Sequence, residues 1–242
     1  MTNQIAIKVH TRTGDEVLGD IGGHIYQYEG GGLMANSGCS VKFLPAGFGR
    51  FVAAEVEARL NDPDNPHLPR TRLVNVENTS NRGGGAVWDI DEARRLRETC
   101  TRRGLILHMD GARIFNALTV DGRTAKEWGS IFDSVSICLS KGLGAPVGSV
   151  LVGPRDFIHQ ARRVRKRFGG GMRQAGVLAA AGTYALDHHI ARLREDHDRA
   201  RLLADALDTS GWALSVLPVQ TNIVVFNVAG GKDDQFLSAL KA

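Results

Sequence analysis

Short apolar runs alternate with longer amphipathic segments along most of the chain. The runs "EVLGD", "SVKFLP", "RLVNVEN", "LILHMD", "SVSICLS" and "GSVLVG" have the length and apolar content of strands, and the last three predict buried ones. Apolar positions at helical spacing predict helices over 51–60, 90–103 and 154–168, and "IAIKVH" near the start is typical of the end of a helix. This alternation predicts an α/β fold with a mainly parallel central sheet that is flanked by helices.

Residues that start or stop helices refine these boundaries. Asp89 is followed three residues later by Glu92, the spacing of a capping box, and Gly104 supplies a stop for the same helix. Pro154 opens the helix over 154–168. The Ala- and Leu-rich stretch 174–207 predicts further helix, after which "WALSVL" and "TNIVVFNV" return to strand.

The composition is that of a globular protein with a mild basic excess. The chain has 242 residues, 43% hydrophobic and 23% charged, enough for one large domain or for one domain and part of a second. Its net charge of +4 does not by itself indicate a nucleic-acid partner. Cys39, Cys100 and Cys138 are widely spaced and odd in number, which favours free thiols in a reducing compartment. No apolar run reaches membrane-spanning length, so we expect a cytoplasmic protein with no membrane partner.

Four side chains that can carry chemistry follow directly after predicted strands. They are His24, Glu77, Asp110 and Lys141. In open parallel sheets, ligands bind beyond the carboxyl ends of the strands, where the connecting loops lie. The sequence therefore predicts a ligand site at that edge of the sheet.

Lys141 lies in "SICLSKGLGAPVG", at the end of an apolar run and before several small residues. A free lysine has a pKa near ~10.4, so a nucleophilic lysine needs its pKa lowered by roughly 3 units through desolvation or a nearby cation. Gly142, Gly144 and Ala145 would give it partial burial and leave room for a flat ligand. The alternative is an ordinary lysine that extends from a strand edge into water.

Asp110, Arg113 and His24 each allow two interpretations. Asp110 follows a strand and could hold a cation, a hydroxyl or a protonated ring nitrogen, or could cap the next turn. Arg113, in "HMDGARIF", could bind a carboxylate or form a salt bridge with Asp110. His24 follows two glycines, which would let it approach a planar ligand, but an isolated loop histidine is the commoner case.

The segment "RRVRKRFGGGMRQ" joins a basic helix to three glycines and another arginine. It favours a solvated helix face followed by a flexible turn. A phosphate-binding nest is a second interpretation, and an RNA-binding arm is a third. Few aromatic residues that could stack on bases surround it, which argues against RNA.

Several long stretches together resemble one known family. "VENTSN", "HMDGARIFNA", "DSVSICLSKGLGAPVGSVLVG" and "RKRFGGGMRQAGVLAAAGTYAL" are similar to the low-specificity L-threonine aldolases, in the same order and at similar spacing. These are enzymes that use pyridoxal 5'-phosphate. The resemblance runs from Thr2 nearly to Val228. It implies an aspartate-aminotransferase-like (fold type I) large domain over 1–190, and the start of a small α+β domain over 191–242.

The resemblance also implies roles for individual residues. Lys141 would bond covalently to pyridoxal phosphate, and Asp110 would pair with the protonated pyridine nitrogen. His24 would stack on the ring and take part in proton transfer. Other implied contacts are Ser140 with the cofactor phosphate, Arg113 with the substrate carboxylate, and Lys166 and Arg173 with the active site of a neighbouring subunit in a homotetramer. We expect no metal ligand and no nucleic-acid partner.

The implied reaction is cleavage of threonine, allo-threonine and related β-hydroxy-α-amino acids to glycine and an aldehyde. Two departures from the family qualify this expectation. Ser80 replaces a histidine that is a candidate contact to the substrate hydroxyl. We also expect segments with phosphate- and carboxylate-binding groups to be missing at both ends. The alternatives are another fold type I enzyme, either a β-eliminating lyase or an aminotransferase, and a catalytically incomplete fragment of the aldolase.

Overall fold

A computed structural model of the chain describes residues 1–241, which form eight strands and ten α-helices. The strands are β1 (Asp15–Asp20), β2 (Ser40–Leu44), β3 (Arg70–Glu77), β4 (Ile106–Asp110), β5 (Ser134–Cys138), β6 (Ser149–Val152), β7 (Ala213–Val216) and β8 (Phe226–Val228). The helices are α1 (Thr2–His10), α2 (His24–Gln27), α3 (Ala53–Glu57), α4 (Ile90–Arg103), α5 (Ile114–Asp121), α6 (Ala125–Gly129), α7 (Arg155–Arg167), α8 (Gly176–His188), α9 (Leu193–Thr209) and α10 (Asp233–Ala239). A π-helical turn spans Leu33–Ser37, and a 3-10 turn spans Ala229–Gly231.

The first six strands form one sheet in the order β2-β1-β3-β4-β5-β6. Strands β1 to β5 are parallel, and β6 pairs with β5 in the antiparallel sense. This confirms the predicted α/β fold with a mainly parallel sheet. The strand order reverses at β1, since β2 lies on one side of it and β3 on the other. Such a reversal opens a crevice at the carboxyl edge of the sheet, between the loops that follow β1 and β3.

The two faces of this sheet differ in polarity. One face carries Leu18, Val74, Val76, Leu107 and Met109, which pack in one apolar core. The opposite face is apolar at β1 and at the start of β3, where α1 and the π-helical turn cover it. Further along, three strands present polar side chains on that face. Their register pairs Asn75 with His108 and His108 with Ser134, and pairs Glu77 with Asp110 and Asp110 with Ser136.

Helix α4 begins and ends where the sequence predicts, but the predicted capping box is wrong. The Asp89 carboxylate accepts hydrogen bonds from the backbone amides of Asp91 and Glu92, and Gly104 closes the helix in a left-handed conformation. The Glu92 side chain accepts instead from the amide of Ala53, at 2.7 Å. It ties α3 to α4 rather than returning to its own N-cap.

Other elements differ from the predictions in extent or environment. The helix expected over 51–60 is shorter, Ala53–Glu57. Strand β6, expected to be buried, is the edge strand of the sheet, and most of its residues are exposed. Helix α6 was not predicted, although Thr124 and Glu127 form a complete capping box there. The apolar run of β6 is too short for its sequence alone to show whether neighbouring elements cover it.

The last part of the chain packs back onto the sheet-containing region. Asn116 of α5 and His197 of α9 are both buried and share a 3.0 Å hydrogen bond. The Thr221 hydroxyl donates to the carbonyl of Gly85. Strands β7 and β8 form a separate two-stranded sheet, and the division into 1–190 and 191–242 stays a prediction. Over residues 1–241, no helix combines the length and the apolar character needed to cross a membrane.

Candidate active site

A cavity of about 140 Å³ lies at the carboxyl edge of the sheet, where β1, β3, β4 and β5 end. Its lining includes His24, Glu77, Asp110, Arg113 and Lys141. The topology therefore brings together the four side chains that follow predicted strands. A larger cleft of about 490 Å³ lies at the opposite edge, near Gly104. There Arg102 and Arg103 pair with Glu57, so we assign the chemistry to the smaller cavity.

Asp110 is the most deeply buried acid of the cavity, with 2% of its surface exposed. Its Oδ1 accepts from the amide of Ala112 at 3.1 Å, and its Oδ2 accepts from Asn3 Nδ2 at 2.8 Å. Burial raises the pKa of this carboxyl, while His24, Asn3 and Lys141 act in the opposite direction. A cationic group that entered the cavity would stabilise the ionised form further.

Glu77 extends from the end of β3 and fixes the two loops beside it. Its Oε2 accepts from the amide of His24 at 2.7 Å, and its Oε1 accepts from the amide of Asn81 at 2.8 Å. Burial raises the pKa of Glu77, and repulsion from Asp110 adds to this effect. Glu77 thus holds the loop that carries His24 against the carboxyl edge of β3.

His24 and Glu29 form a pair at the mouth of the cavity. His24 Nδ1 lies 3.0 Å from Glu29 Oε1, and the side chains are 40% and 8% exposed. The bond to Glu29 raises the pKa of His24, despite an opposing effect of burial. Burial alone would raise the pKa of Glu29, but hydrogen bonds from His24, Asn3 and Gln4 outweigh it and lower that pKa. The arrangement favours an imidazolium–carboxylate pair.

Lys141 lines the cavity and is partly buried, as the sequence predicts. The residues after it also pack against two helices. A Cβ on Gly142 would lie 2.7 Å from Leu193 Cδ2. Leu143 and Ala145 pack with Ala185 and Leu193 in a separate apolar cluster. These residues therefore make room for helices α8 and α9, and their role in admitting a flat ligand stays a prediction.

Of the remaining predicted site residues, only Arg113 lines the cavity. Within residues 1–241 it forms no ion pair. Ser140, Lys166 and Arg173 are exposed and outside the lining. Ser80 is buried, and its hydroxyl accepts from the amide of Gly83 at 3.2 Å. The structure does not bring Ser80 into the cavity.

The cavity lining also includes residues that the sequence did not single out for the site, among them Asn3, Glu29 and Cys138. Asn3 comes from the first turn of α1, Glu29 from the loop after α2, and Cys138 from the end of β5. Burial raises the pKa of the Cys138 thiol. Of these three residues, only Cys138 lies in a segment with a recognisable pattern. In "RLVNVEN", "LILHMD" and "SVSICLS", polar residues recur at every second position of three successive strands. That period places polar side chains on one face of the sheet.

The cavity also contains groups with the spacing of metal ligands. One ligand atom each from His24, Glu29 and Asp110 lies within 4.8 Å of the others. Asn3 donates to both carboxylates, and His24 pairs with Glu29. The imidazole of His24 and the amide of Asn3 already contact these carboxylates, so the arrangement does not single out a metal ion.

Comparison with known proteins supplies the family. The sequence model of the beta-eliminating lyases matches residues 1–230. The chain belongs to this family. It is 40% identical over 236 residues to low-specificity L-threonine aldolase 1 of Arabidopsis thaliana, which covers 96% of this chain and 66% of that protein. It is 42% identical over 226 residues to the low specificity L-threonine aldolase of Escherichia coli strain K12, 93% of this chain and 66% of that protein.

The fold comparison agrees with the family assignment. The threonine aldolase of Leishmania major superposes with a TM-score of 0.86 at 24% identity, over 99% of this chain and 69% of that chain. At that identity, the similarity demonstrates a shared fold. The chain spans about 66% of the length of the two curated relatives.

The cavity of this beta-eliminating lyase family member fits one end of pyridoxal phosphate. Lys141 would supply an amine for its aldehyde, and Asp110 would supply a buried anion suited to a cationic ring nitrogen. His24, half exposed at the rim, supplies a planar ring. At the phosphate end, Ser140 is exposed, and its hydroxyl lies 3.5 Å from the carbonyl of Gly148. The donor set therefore fits the reactive ring more completely than the phosphate.

Proposed function

We propose that this chain is a pyridoxal-phosphate-dependent lyase that cleaves threonine and related β-hydroxy-α-amino acids into glycine and an aldehyde. The observation that carries the proposal is the meeting of Lys141, Asp110 and Arg113 in one small cavity. Its support is the 40–42% identity to low-specificity L-threonine aldolases over more than nine tenths of the chain.

Lys141 is the residue to which we assign the cofactor aldehyde. Its amine lies in the same cavity as the buried Asp110, whose pKa it helps to lower. An uncharged amine is the form that attacks a carbonyl. Pyridoxal phosphate, when bound, supplies an electron sink for the pair released by the Cα–Cβ bond.

Asp110 keeps the ring nitrogen charged in this proposal. A carboxylate that is buried and held by two hydrogen bonds is pre-oriented, so it need not reorganise when a proton-bearing nitrogen meets it. Its neighbour Glu77 is occupied by two backbone amides. Glu77 therefore does not compete with Asp110 for the ring.

Arg113 and the His24–Glu29 pair would orient the substrate. Arg113, with no acidic partner among residues 1–241, offers a planar fork of donors to a substrate carboxylate. Fixing the carboxylate determines which bond at Cα aligns with the cofactor, and so which bond breaks. In its neutral form, with the Nδ1 hydrogen donated to Glu29, the His24 imidazole has a bare Nε2 that would take the β-hydroxyl proton.

The first test is spectroscopic. The purified chain mixed with pyridoxal phosphate should develop a visible absorption band that is absent in Lys141→Ala, because only Lys141 bonds to the cofactor aldehyde. The matched control is Lys126→Ala, which removes an exposed lysine on α6. A band that persists unchanged in Lys141→Ala would contradict the assignment of this lysine.

Product analysis separates the alternatives. With threonine, the proposal expects glycine and acetaldehyde in equal amounts. Pyruvate or a 2-oxo acid would instead identify β-elimination or transamination. A chain that binds neither cofactor nor substrate would favour a catalytically incomplete fragment. We keep this alternative because the cavity offers fewer suitable donors to the cofactor phosphate than to its ring.

We also propose that the chain assembles with copies of itself, and that Lys166 and Arg173 contribute to a neighbouring site. Both are exposed and outside the lining of the cavity. Exposed apolar side chains on and before α8 support such an interface, with Met172, Val177 and Tyr184 at 59%, 83% and 59% exposure. Light scattering with and without pyridoxal phosphate gives the oligomeric state, and a monomer under both conditions would contradict assembly.

A further inference from the structure

A line of buried and half-buried polar groups leads away from Asp110 into the protein. It contains Asn3 and His10 of α1, His108 of β4 and Ser134 of β5, and we call these four residues the Asp110 relay. Asn3 and His10 are seven positions apart, two turns of one helix face. His108 and Asp110 are two apart, on one face of a strand.

We propose that the Asp110 relay is a directional hydrogen-bond chain in which every donor points toward Asp110, holding it as an acceptor-only carboxylate for a cationic ring nitrogen. This inference rests on the proposed function. The four members of the relay are positioning residues, because they act through Asp110 and would not contact a reacting atom themselves.

The direction is set at Asn3, which is 6% exposed. Its Nδ2 lies 2.8 Å from Asp110 Oδ2 and 2.8 Å from Glu29 Oε1. The pKa of Glu29 is lowered, so its carboxylate is ionised and only accepts, and the amide nitrogen of Asn3 therefore faces Glu29 and, with it, Asp110. The amide oxygen of Asn3 must then face the opposite way, toward His108.

The tautomer of His108 follows from that orientation. His108 Nε2 lies 3.2 Å from Asn3 Oδ1, which can only accept, so Nε2 carries the proton. Complete burial lowers the pKa of His108 to about 3, and the ring is neutral. Its Nδ1 is therefore an acceptor, and it takes the hydroxyl proton of Ser134 at 2.8 Å. The carbonyl of Ser134 also lies 3.1 Å from this nitrogen and would accept from it if Nδ1 carried the proton, so the orientation of Asn3 decides between the two tautomers.

The last link begins at His10. With its hydrogen donated to His108, the Ser134 oxygen accepts from His10 Nε2 at 2.8 Å. His10 stacks on Phe157 with ring centroids 4.4 Å apart, which fixes the plane of the imidazole. Aligned bonds of this kind polarise one another. The relay thus presents the positive end of a chain of dipoles to the Asp110 carboxylate.

The relay offsets a specific cost. Asp110 is buried beside two further acids, Glu29 and Glu77, and both disfavour its charge. The cations that face it are His24 and Lys141. In the proposed function the Lys141 amine would be taken up by the cofactor aldehyde, so it would no longer be a free ammonium group beside Asp110. An amide donor fixed from behind then keeps Asp110 ionised without depending on that lysine.

The first experiment determines the direction of the relay in the unaltered chain. Nitrogen-15 NMR of the histidine-labelled protein, without cofactor, should show His108 protonated at Nε2 and bare at Nδ1. His108 protonated at Nδ1 would overturn the proposal, because Asn3 would then have to turn its oxygen toward the carboxylates.

The second experiment tests the purpose of the relay by cofactor affinity. Dissociation constants are measured by absorbance for pyridoxal phosphate and for its analogue with carbon in place of the ring nitrogen. His108→Leu should weaken binding of pyridoxal phosphate about tenfold more than binding of the analogue, which has no ring nitrogen for Asp110. His108→Gln, which can still donate to Asn3, should restore most of this difference.

The control is His197→Leu, which removes another buried histidine with an amide partner, Asn116, outside the relay. It should affect the two cofactor forms alike. Equal weakening of both forms by His108→Leu would reduce the relay to core packing and overturn its proposed purpose. Where His108→Leu does not fold, Ser134→Ala removes the next donor and makes the same comparison. Failure of the unaltered chain to bind either form would refute the proposed function, and the NMR result would still decide the direction of the hydrogen bonds.

Discussion

At the scale of single residues, the site is built on pairs of opposite charge and not on isolated reactive groups. His24 and Glu29 shift each other's pKa values in opposite directions, upward for His24 and downward for Glu29. Both depend on positions that the chain fixes locally. The amide of His24 binds Glu77, and Glu29 accepts from Asn3 and Gln4 of α1. The protonation state of His24 is therefore a property of this group of residues.

Glu29→Gln should lower the pKa of His24, because it removes the bond and the charge that raise it. The raised pKa favours the folded state at low pH, and this contribution is lost as pH rises through the pKa of His24 in the folded protein. NMR titration of the His24 ring measures the shift directly. The matched control is Glu55→Gln, which breaks an ion pair with Arg59 on α3. A His24 pKa unchanged by Glu29→Gln would contradict the pairing.

At the scale of elements, short local signals set where helices begin and end, whereas their partners depend on the fold. Asp89 and Gly104 act within α4 and were identifiable in the sequence. Glu92 has the right spacing for a capping box, yet its carboxylate binds the amide of Ala53 at the start of α3. Packing of α3 against α4 thus gives Glu92 a partner distant in the sequence in place of the N-cap amide of Asp89.

Asp89→Ala should destabilise the protein by about 1 kcal/mol, because two backbone amides at the start of α4 lose their acceptor. Chemical denaturation measures the change in the free energy of unfolding. Asp89→Asn keeps an acceptor oxygen and should retain most of the stability. Equal losses for the two variants would show that the charge, rather than the cap, stabilises this helix.

At the scale of the whole molecule, the sheet has one apolar face and one that carries a buried polar seam. The seam connects α1 to the carboxyl edge of the sheet and includes two neutral histidines, the half-buried His10 and the fully buried His108. Burial lowers the pKa of His10 to about 4 and that of His108 to about 3. At a pH between these lowered values and the ordinary histidine pKa of 6.5, the two histidines are protonated in the unfolded chain but neutral in the folded protein.

The free energy of unfolding should therefore fall as the pH drops from about 6.5 toward 4. The total loss from one histidine is about 1.4 kcal/mol for each unit by which folding lowers its pKa. Coulombic contributions from Asp133 and Arg72 on His10 act in opposite directions. His10→Gln should reduce the difference in the free energy of unfolding between pH 7 and pH 5. His67→Gln, which replaces an exposed histidine, should leave that difference as it is. An unchanged difference in His10→Gln would show that folding does not lower the pKa of His10.

The sequence by itself determined the α/β fold, the helix ends at Asp89 and Gly104, and the presence of His24, Glu77, Asp110 and Lys141 at one edge of the sheet. These features follow from periodicity and local hydrogen bonding, which act over a few neighbouring residues. Only the tertiary structure decided that Asn3 binds an aspartate 107 positions away, and that Gly142 makes room for Leu193. Such contacts depend on strand register and helix packing, and neither leaves a local pattern to identify them.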